Sequence, residues 1–208
     1  MTARLLVLSL CVVISAPAIA ETGPLAGMTV AVDVGHSKAR PGAISARGRG
    51  EFDFNLDTSL VIDEILEKAG AKCLIINETG TLTGLAERPE RALRLGADVF
   101  ISIHHDSVNQ KYKRTWIPPG QSQVQEYSDK FRGYSVFSSE KNPMAKESRA
   151  LALLVGAAMR EAGFKPTLHH AEKIPGENRP LINRKTGVYE FTDLVVTKAA
   201  ALPSILLE

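Results

Sequence analysis

Residues 28–36 read MTVAVDVGH, and this stretch decides the fold. Its apolar residues predict a buried strand over residues 28–34, which Gly35 ends. Residues 51–68 carry apolar side chains at helical spacing and end before a glycine, as a helix does. A second apolar run at residues 71–77 completes a strand–helix–strand unit. Such a unit predicts two parallel strands joined by a right-handed crossover.

The same alternation continues along the chain. Residues 83–95 predict a second helix, broken or bent near Pro89, and residues 98–104 predict a third strand. The carboxyl ends of parallel strands lie at one edge of a sheet, and binding sites collect there. His36 follows the first strand and His104 ends the third. We therefore expect both histidines at that edge.

The second half of the sequence interrupts this rhythm with two long polar segments. Residues 107–132 contain Pro-Pro-Gly and predict a loop or insert, and residues 165–185 predict a second long loop. The remaining segments are predicted as short strands at 133–138, 188–191 and 204–207, and as helices at 144–162 and 193–200. Together these elements predict an α/β fold, with a mixed, largely parallel sheet flanked by helices in a single domain over residues 21–208.

Residues 1–20 have the order of a secretory signal peptide, with Arg4, an apolar run and an Ala-Ile-Ala cleavage site. A membrane anchor is the alternative, although the run is short for a span. After cleavage, 24 basic residues face 23 acidic ones, a formal charge of +1 that does not favour nucleic acid. Cys73 is then the single cysteine, which excludes an intramolecular disulfide and predicts a small buried apolar residue. No later segment is predicted to span a membrane.

Four segments carry residue types that bind or activate a metal. His36 lies just past a strand, Glu51 starts a helix, His104 and His105 end a strand, and Glu208 ends the sequence. Two histidines and a carboxylate form a catalytic zinc site, and a further carboxylate beside it can act as general base. Each residue alone also has a simpler explanation: a solvated loop histidine, a helix-start acid or a hydrogen-bonded core histidine.

Several motifs occur in a fixed order along the sequence. They are VAVDVGH at 30–36, PGA at 41–43, Glu51 followed by FNL at 54–56, LAER at 85–88, FISIH at 100–104 and LPSILLE at 202–208. In this order the sequence resembles the zinc-dependent N-acetylmuramoyl-L-alanine amidases of the amidase type 3 family, over nearly the whole of residues 21–208.

The resemblance implies that His36, Glu51 and His104 bind zinc and that Glu208 is the catalytic carboxylate. It implies hydrolysis of the amide bond between N-acetylmuramic acid and L-alanine in peptidoglycan. The signal peptide at residues 1–20 predicts an exported protein that is periplasmic or secreted. An activator protein is an implied partner, because some members are opened by one. His105 stands where the family often has alanine, so it is not predicted as a ligand.

Three features depart from the family pattern or lie outside it. The family continues beyond this glutamate, so a chain that ends at Glu208 predicts a C-terminally truncated domain or reduced activity. The insert at 107–132 follows His104 and predicts either substrate contact or a surface loop without function. Its contacts with sugar or carboxylates would come from aromatic and basic residues, namely Tyr112, Arg114, Trp116 and Tyr127. His169 and His170 are predicted as a solvated loop pair, with substrate contact as the alternative.

Two other functions remain open from the residues alone. A zinc peptidase that cuts the stem peptide would use the same metal ligands. A non-catalytic peptidoglycan-binding protein on the same fold would bind zinc and cell wall and release no peptide.

Overall fold

The structure, a computed structural model, describes residues 22–208, so the predicted signal peptide lies outside the described residues. Nine strands and four helices follow in chain order: β1 Thr29–Val34, α1 Glu51–Lys68, β2 Lys72–Ile76, α2 Glu87–Arg94, β3 Val99–Ile103, β4 Arg114–Trp116, β5 Gln125–Tyr127, β6 Val136–Ser138, α3 Ala145–Glu161, β7 Leu181–Asn183, β8 Val188–Glu190, α4 Val195–Lys198 and β9 Ser204–Leu207. Seven of the strands form one sheet, in the order β2-β1-β3-β9-β6-β8-β7.

The sheet is mixed and largely parallel, which confirms the predicted fold class. Strand β1 pairs in parallel with β2 and β3, and β3 pairs in parallel with β9. Strand β6 pairs antiparallel to β9 and parallel to β8, and β7 closes the edge antiparallel to β8. The carboxyl ends of β1, β3 and β9 therefore lie at the same edge.

Helices cover both faces because side chains along each strand alternate between them. On one face Val30 and Val32 pack with Ile62 and Leu66 of α1. Farther along that face, residues of β6, β8 and β9 pack against α3. On the other face Ala31 and other sheet residues pack against buried residues of α2 and α4. The core thus has three layers, and the strands at its centre are buried on both sides.

Three predictions about local structure are wrong or incomplete. Helix α2 begins only at Glu87, and Pro89 neither breaks nor bends it, because it lies in the first turn, where no intrahelical hydrogen bond needs its nitrogen. The segment at 165–185 is not all loop, since it contains a 3-10 turn at His169–Ala171 and strand β7. Cys73 is half-buried, and burial followed by the nearby Asp63 raises the pKa of its thiol to about 12.

The insert at 107–132 is a β-hairpin, in which β4 and β5 pair antiparallel. Two aromatic side chains fasten it to the domain. The Trp116 indole Nε1 donates to the carbonyl of Ala46 at 2.8 Å, and the Tyr112 hydroxyl donates to Glu172 Oε2 at 2.5 Å. Within residues 22–208 no helix is long and apolar enough to cross a membrane.

Candidate metal centre

Three side chains meet at the carboxyl edge of the sheet. His36 Nε2 lies 3.0 Å from Glu51 Oε2, and His104 Nδ1 lies 2.9 Å from Glu51 Oε1. The two imidazole rings contact each other edge to face, with their centroids 4.8 Å apart. The structure therefore brings together the three residues predicted as zinc ligands, from segments that are far apart in the sequence. Their role as ligands stays a prediction.

The sheet and the first helix position each of these residues. His36 directly follows Gly35 at the end of β1 and adopts a left-handed φ of 67°. The Asn77 side-chain amide donates to the His36 carbonyl at 2.8 Å and to the Val34 carbonyl at 2.9 Å, which holds this strained turn. His104 directly follows β3, and its N–H donates to the carbonyl of Leu207 at 2.9 Å.

Glu51 is the first residue of α1 and is only 5% exposed. Burial alone would raise its pKa, but hydrogen bonds from His104, His36 and the backbone N–H of Ala43 outweigh it, so the pKa of Glu51 lies well below its ordinary value. The N–H groups of Ala43 and His105 donate to its two oxygens at 3.0 and 3.1 Å. The carboxylate is thus fixed in its charged form, which is the form that binds a metal.

Two glycines leave the space that this cluster occupies. A Cβ on Gly35 would lie 2.4 Å from His104 Nε2, and a Cβ on Gly42 would lie 2.5 Å from Glu51 Oε2. Any side chain at either position would displace a proposed ligand. Two imidazoles and one carboxylate are the donors of a catalytic zinc site that keeps an open position. The residues present therefore fit zinc.

A buried ion pair lies under the centre. Arg88, 2% exposed, pairs with Asp33, and Ser102 donates to Asp33 Oδ2 at 2.7 Å. The Arg88 guanidinium also donates to the carbonyls of Val34, His36 and Leu82. Burial raises the pKa of Asp33, against the opposing effects of Arg88 and Ser102. Sequence reasoning saw Arg88 only as part of a motif; the charged Asp33 inside an apolar strand was a signal that a buried cation faces it.

Glu208 lies beside the centre at the end of β9. Its backbone N–H and carbonyl both bond to Ser135, at 2.9 and 2.8 Å, which fixes its position. Its side chain lines a cavity of about 310 Å³ together with His104, Asp106 and His170. Burial first, and then the negative charges of Asp106, Glu51 and Glu177, raise the pKa of Glu208 well above its ordinary value. An acid with a raised pKa in a cavity is a candidate for proton transfer.

His169 and His170 are not the solvated pair that the sequence predicted. They are 5% and 7% exposed. Their Nε2 atoms lie 2.9 and 3.2 Å from the same oxygen of Asp106, and His170 Nδ1 lies 3.0 Å from Glu177 Oε2. Burial lowers the pKa of His170, but the carboxylates of Asp106 and Glu177 outweigh it and raise that pKa. The prediction failed because Asp106 and the hairpin, distant in sequence, bury this loop.

His105 points away from His104, as alternation along the strand end predicts. Its Nδ1 lies 2.7 Å from Asn55 Oδ1, and its ring lies near Phe54. Among the described residues, His105 is not part of either group of converging metal donors. All five histidines of the sequence therefore lie at this one edge.

The hairpin forms one wall of a second cavity of about 540 Å³. Tyr127, Phe131 and Lys113 line it on the hairpin side, and Glu51 and Phe54 line it on the domain side. Of the four insert residues predicted to contact substrate, only Tyr127 lines this cavity. Tyr112 and Trp116 instead hold the hairpin in place.

Comparison with known proteins points to one family. A family model described as N-acetylmuramoyl-L-alanine amidase matches residues 30–208. Among curated relatives, the N-acetylmuramoyl-L-alanine amidase LytC of Bacillus subtilis is 35% identical over 81 residues, which are 39% of this chain and 16% of LytC. YqiI of the same organism is 34% identical over 92 residues, 44% of each chain. The matches thus span less than half of the length of these relatives.

Solved structures share the fold. The amidase Ami1 of Mycobacterium smegmatis superposes with a TM-score of 0.64 at 20% identity, over 88% of this chain and 82% of Ami1. The CwlD amidase of Clostridioides difficile, solved in complex with the GerS lipoprotein, superposes with a TM-score of 0.59 at 19% identity, over 87% of this chain and 81% of CwlD. At this level of identity the likeness shows the fold.

Proposed function

The chain belongs to the amidase type 3 family of N-acetylmuramoyl-L-alanine amidases, and from this premise we propose that it is a zinc hydrolase that cleaves the amide bond between N-acetylmuramic acid and L-alanine in peptidoglycan. The observation that carries the proposal is the convergence of His36, Glu51 and His104 at the edge of the sheet. Glu208, which lines a cavity with His104, completes the set of groups that the reaction needs.

His36, Glu51 and His104 would hold the zinc ion. When bound, zinc would act as a Lewis acid that polarises the amide carbonyl and lowers the pKa of a water molecule to about 7. Glu51 stays charged throughout, because its two oxygens accept hydrogen bonds from two backbone N–H groups as well as facing the histidines. Asn77 and Arg88 both donate to the His36 carbonyl and hold its backbone, so that its ring stays directed at Glu51.

Glu208 would move the proton. It accepts a proton from the attacking water and delivers it to the nitrogen of the departing L-alanine. A group that both accepts and donates a proton works best when its pKa lies near the operating pH. The raised pKa of Glu208, caused by burial and three neighbouring carboxylates, supports this assignment.

The two cavities suit a substrate with two arms. The cavity of about 540 Å³ offers the aromatic rings of Tyr127 and Phe131, and sugar rings pack on aromatic faces. Arg179 and Glu208 both line the cavity of about 310 Å³. The guanidinium of Arg179 suits a carboxylate of a peptide. We assign the glycan arm to the cavity of about 540 Å³ and the peptide arm to the cavity of about 310 Å³.

The first experiment measures peptide release from purified sacculi by zinc-loaded protein of residues 21–208. An amidase frees the amino group of L-alanine and leaves lactyl muramic acid, and a chelator abolishes the release. A zinc peptidase would free a different amino acid, because it cuts farther along the stem peptide. A binding protein would pellet with sacculi, keep its zinc and release nothing.

Replacing Glu208 by glutamine tests the proton-transfer role. We expect Glu208→Gln to lower the rate by about 100- to 10,000-fold, the usual contribution of a general acid–base group. Zinc content should be unchanged. Glu147→Gln makes the same chemical change at an exposed position in the first turn of α3 and should keep full activity. Full activity of zinc-loaded Glu208→Gln would remove Glu208 from the mechanism.

Export and an activator are further parts of the proposal. Residues 1–20 support export to the periplasm or medium, and a mature protein that begins at Glu21 would establish it. The complex of CwlD with a lipoprotein supports a protein partner. Release of peptide by the purified protein alone would show that no activator is needed.

A further inference from the structure

A second group of metal-binding side chains lies outside the proposed mechanism. Asp106, His169 and His170 each present one donor atom, and these atoms lie within 4.8 Å of one another. Asp106 directly precedes the hairpin insert at 107–132, and the histidines form the 3-10 turn of the loop at 165–185. The group therefore joins the two long segments that interrupt the regular part of the fold.

The geometry of the group is that of ligands around a common point. His169 Nε2 and His170 Nε2 approach the same oxygen of Asp106, at 2.9 and 3.2 Å. The imidazole centroids are 3.9 Å apart. Both nitrogens and the oxygen thus face the small space between them, and a cation there would contact all three.

The surroundings orient these rings in the way that metal-bound histidines are oriented. His170 Nδ1 lies 3.0 Å from Glu177 Oε2, and a hydrogen on Nδ1 leaves Nε2 as the donor atom on the side of Asp106 when a metal binds. A carboxylate behind a histidine is the common outer partner of a metal ligand. The ring of Phe131 stacks on the ring of His169 with the centroids 4.6 Å apart, which fixes the plane of the His169 ring.

One buried atom of the group, on the far side of the His169 ring from Asp106, has no hydrogen-bond partner within residues 22–208. His169 Nδ1 has no hydrogen-bond partner among the residues that the structure describes, although the side chain is only 5% exposed. An unpartnered buried nitrogen is costly, and such groups call for an explanation.

We propose that Asp106, His169 and His170 bind a second divalent transition-metal ion, separate from the one held by His36, Glu51 and His104. Two imidazoles and a carboxylate match zinc and its chemical neighbours cobalt and nickel. Glu208 Oε2 lies 3.9 Å from His170 Nε2, so this group lies next to the residue assigned to proton transfer. The ion ties the hairpin to the loop at 165–185, and both metal groups border the cavity of about 310 Å³.

The test counts metal ions on tag-free protein of residues 21–208, after loading with zinc and removal of the excess. We expect two zinc ions per chain for the natural sequence. His169→Gln and His36→Gln should each retain one ion, and the combined variant should retain none. His105→Gln removes a histidine from the same edge but from neither group, and should retain two.

Cobalt titration of the unmodified protein gives a second measurement that needs no variant. Two sites of unequal affinity should give two steps in the visible absorption. Metal should also slow proteolysis within residues 107–132 and 165–185 by at least tenfold, and this protection should be lost in His169→Gln but kept in His36→Gln. The last comparison separates a metal that ties the loops from one at the first centre.

One zinc per chain that His36→Gln removes and His169→Gln leaves in place would overturn the second site. Peptide release by such a protein would leave the proposed amidase function intact. Two zinc ions with no release from sacculi would have the opposite meaning: the second site stands and the amidase proposal fails.

Discussion

The two histidine groups at this edge contain nearly the same side chains and are built in different ways. His36, Glu51 and His104 come from the end of β1, the start of α1 and the residue after β3. The second group comes from Asp106 and a 3-10 turn within a long loop. Regular structure alone brings the first group together, whereas the second depends on how two irregular segments pack. A site formed by the ends of regular elements can therefore be predicted from sequence, whereas one formed by the packing of loops cannot.

The contacts that support the two groups differ in the same way. Below the first, Arg88 and Asp33 are fully enclosed by the sheet and α2, and bond to the backbone around His36. Beside the second, Tyr112 of the hairpin donates to Glu172 of the neighbouring loop, near the protein surface. We therefore expect changes under the first group to affect the whole domain, and changes near the second to act locally.

The largest effect is expected from Arg88→Met. It leaves Asp33 buried without its partner and the Leu82 carbonyl without its donor, whereas Asn77 still donates to the carbonyls of Val34 and His36. It should lower the free energy of unfolding by about 3–5 kcal/mol. Urea denaturation measures this change. Arg91→Met on the exposed side of the same helix is the matched control and should lie within about 0.5 kcal/mol of the natural protein. A similar loss in both variants would contradict the special role of Arg88.

Gly42→Ala should act next, and at the metal. The added Cβ lies 2.5 Å from both Glu51 Oε2 and the His36 ring, so zinc affinity should fall by about 10- to 100-fold. Gly120→Ala is an unusually close control. Its φ is 79° against 78° for Gly42, so both variants bear about the same backbone strain of 1–2 kcal/mol, but its Cβ meets nothing within 4 Å. Competition with a chromophoric chelator measures the affinities, and equal values for both variants would show that strain, not space, matters at Gly42.

Tyr112→Phe tests the loop-built side. Loss of the bond to Glu172 should weaken the docking of the hairpin by about 1 kcal/mol and speed proteolytic cleavage within residues 107–132 about fivefold. The midpoint of urea denaturation should barely change. Tyr127→Phe is the control, because its hydroxyl has no hydrogen-bond partner in the described part of the chain. If Tyr112→Phe lowered global stability as Arg88→Met does, the two regions would not differ as proposed.

Asp193→Asn should have the smallest effect on stability, because Asp193 is exposed at the protein surface. Lys141 and Lys198 donate to its carboxylate at 2.8 and 3.0 Å and lower the pKa of Asp193 to about 2, from 3.8 in the unfolded chain. Because the folded pKa is depressed, the charged form contributes stability above pH 3.8, which is lost as the pH falls toward 2. The difference between natural protein and variant should therefore be present at pH 6 and shrink below pH 4. One molar salt should also reduce this stability difference. A stability difference that grows in acid would contradict the predicted pH dependence.

Sequence reasoning succeeded where spacing alone determines structure. Helix α1 begins at Glu51 and ends at Lys68, and β9 spans Ser204–Leu207, as predicted. Helix α1 has a long apolar pattern with a glycine after its end, and β9 is a short apolar run that follows a proline. The neighbouring strand ends then placed His36 and His104 at one edge, because parallel pairing follows from alternating strands and helices.

The rest depended on contacts between distant segments. The hairpin was missed because its strands, RTW and QEY, are short and largely polar and so show no apolar pattern. The burial of His169 and His170 was missed because it arises from Asp106, Glu177 and Phe131. No local pattern encodes a contact across 63 residues such as that from Asp106 to His169. Pro89 was misjudged by position, since a proline one turn later would have disrupted the helix, whereas Pro89 lies in its first turn.

The gathering of all five histidines at one edge of the sheet has a spectroscopic consequence. Protein grown with isotope-labelled histidine yields imidazole resonances from this edge and from nowhere else in the chain. His105, in neither metal group, serves as an internal reference. Nitrogen chemical shifts distinguish protonated, neutral and metal-bound rings, so a single labelled sample reports the state of both groups without a background to subtract.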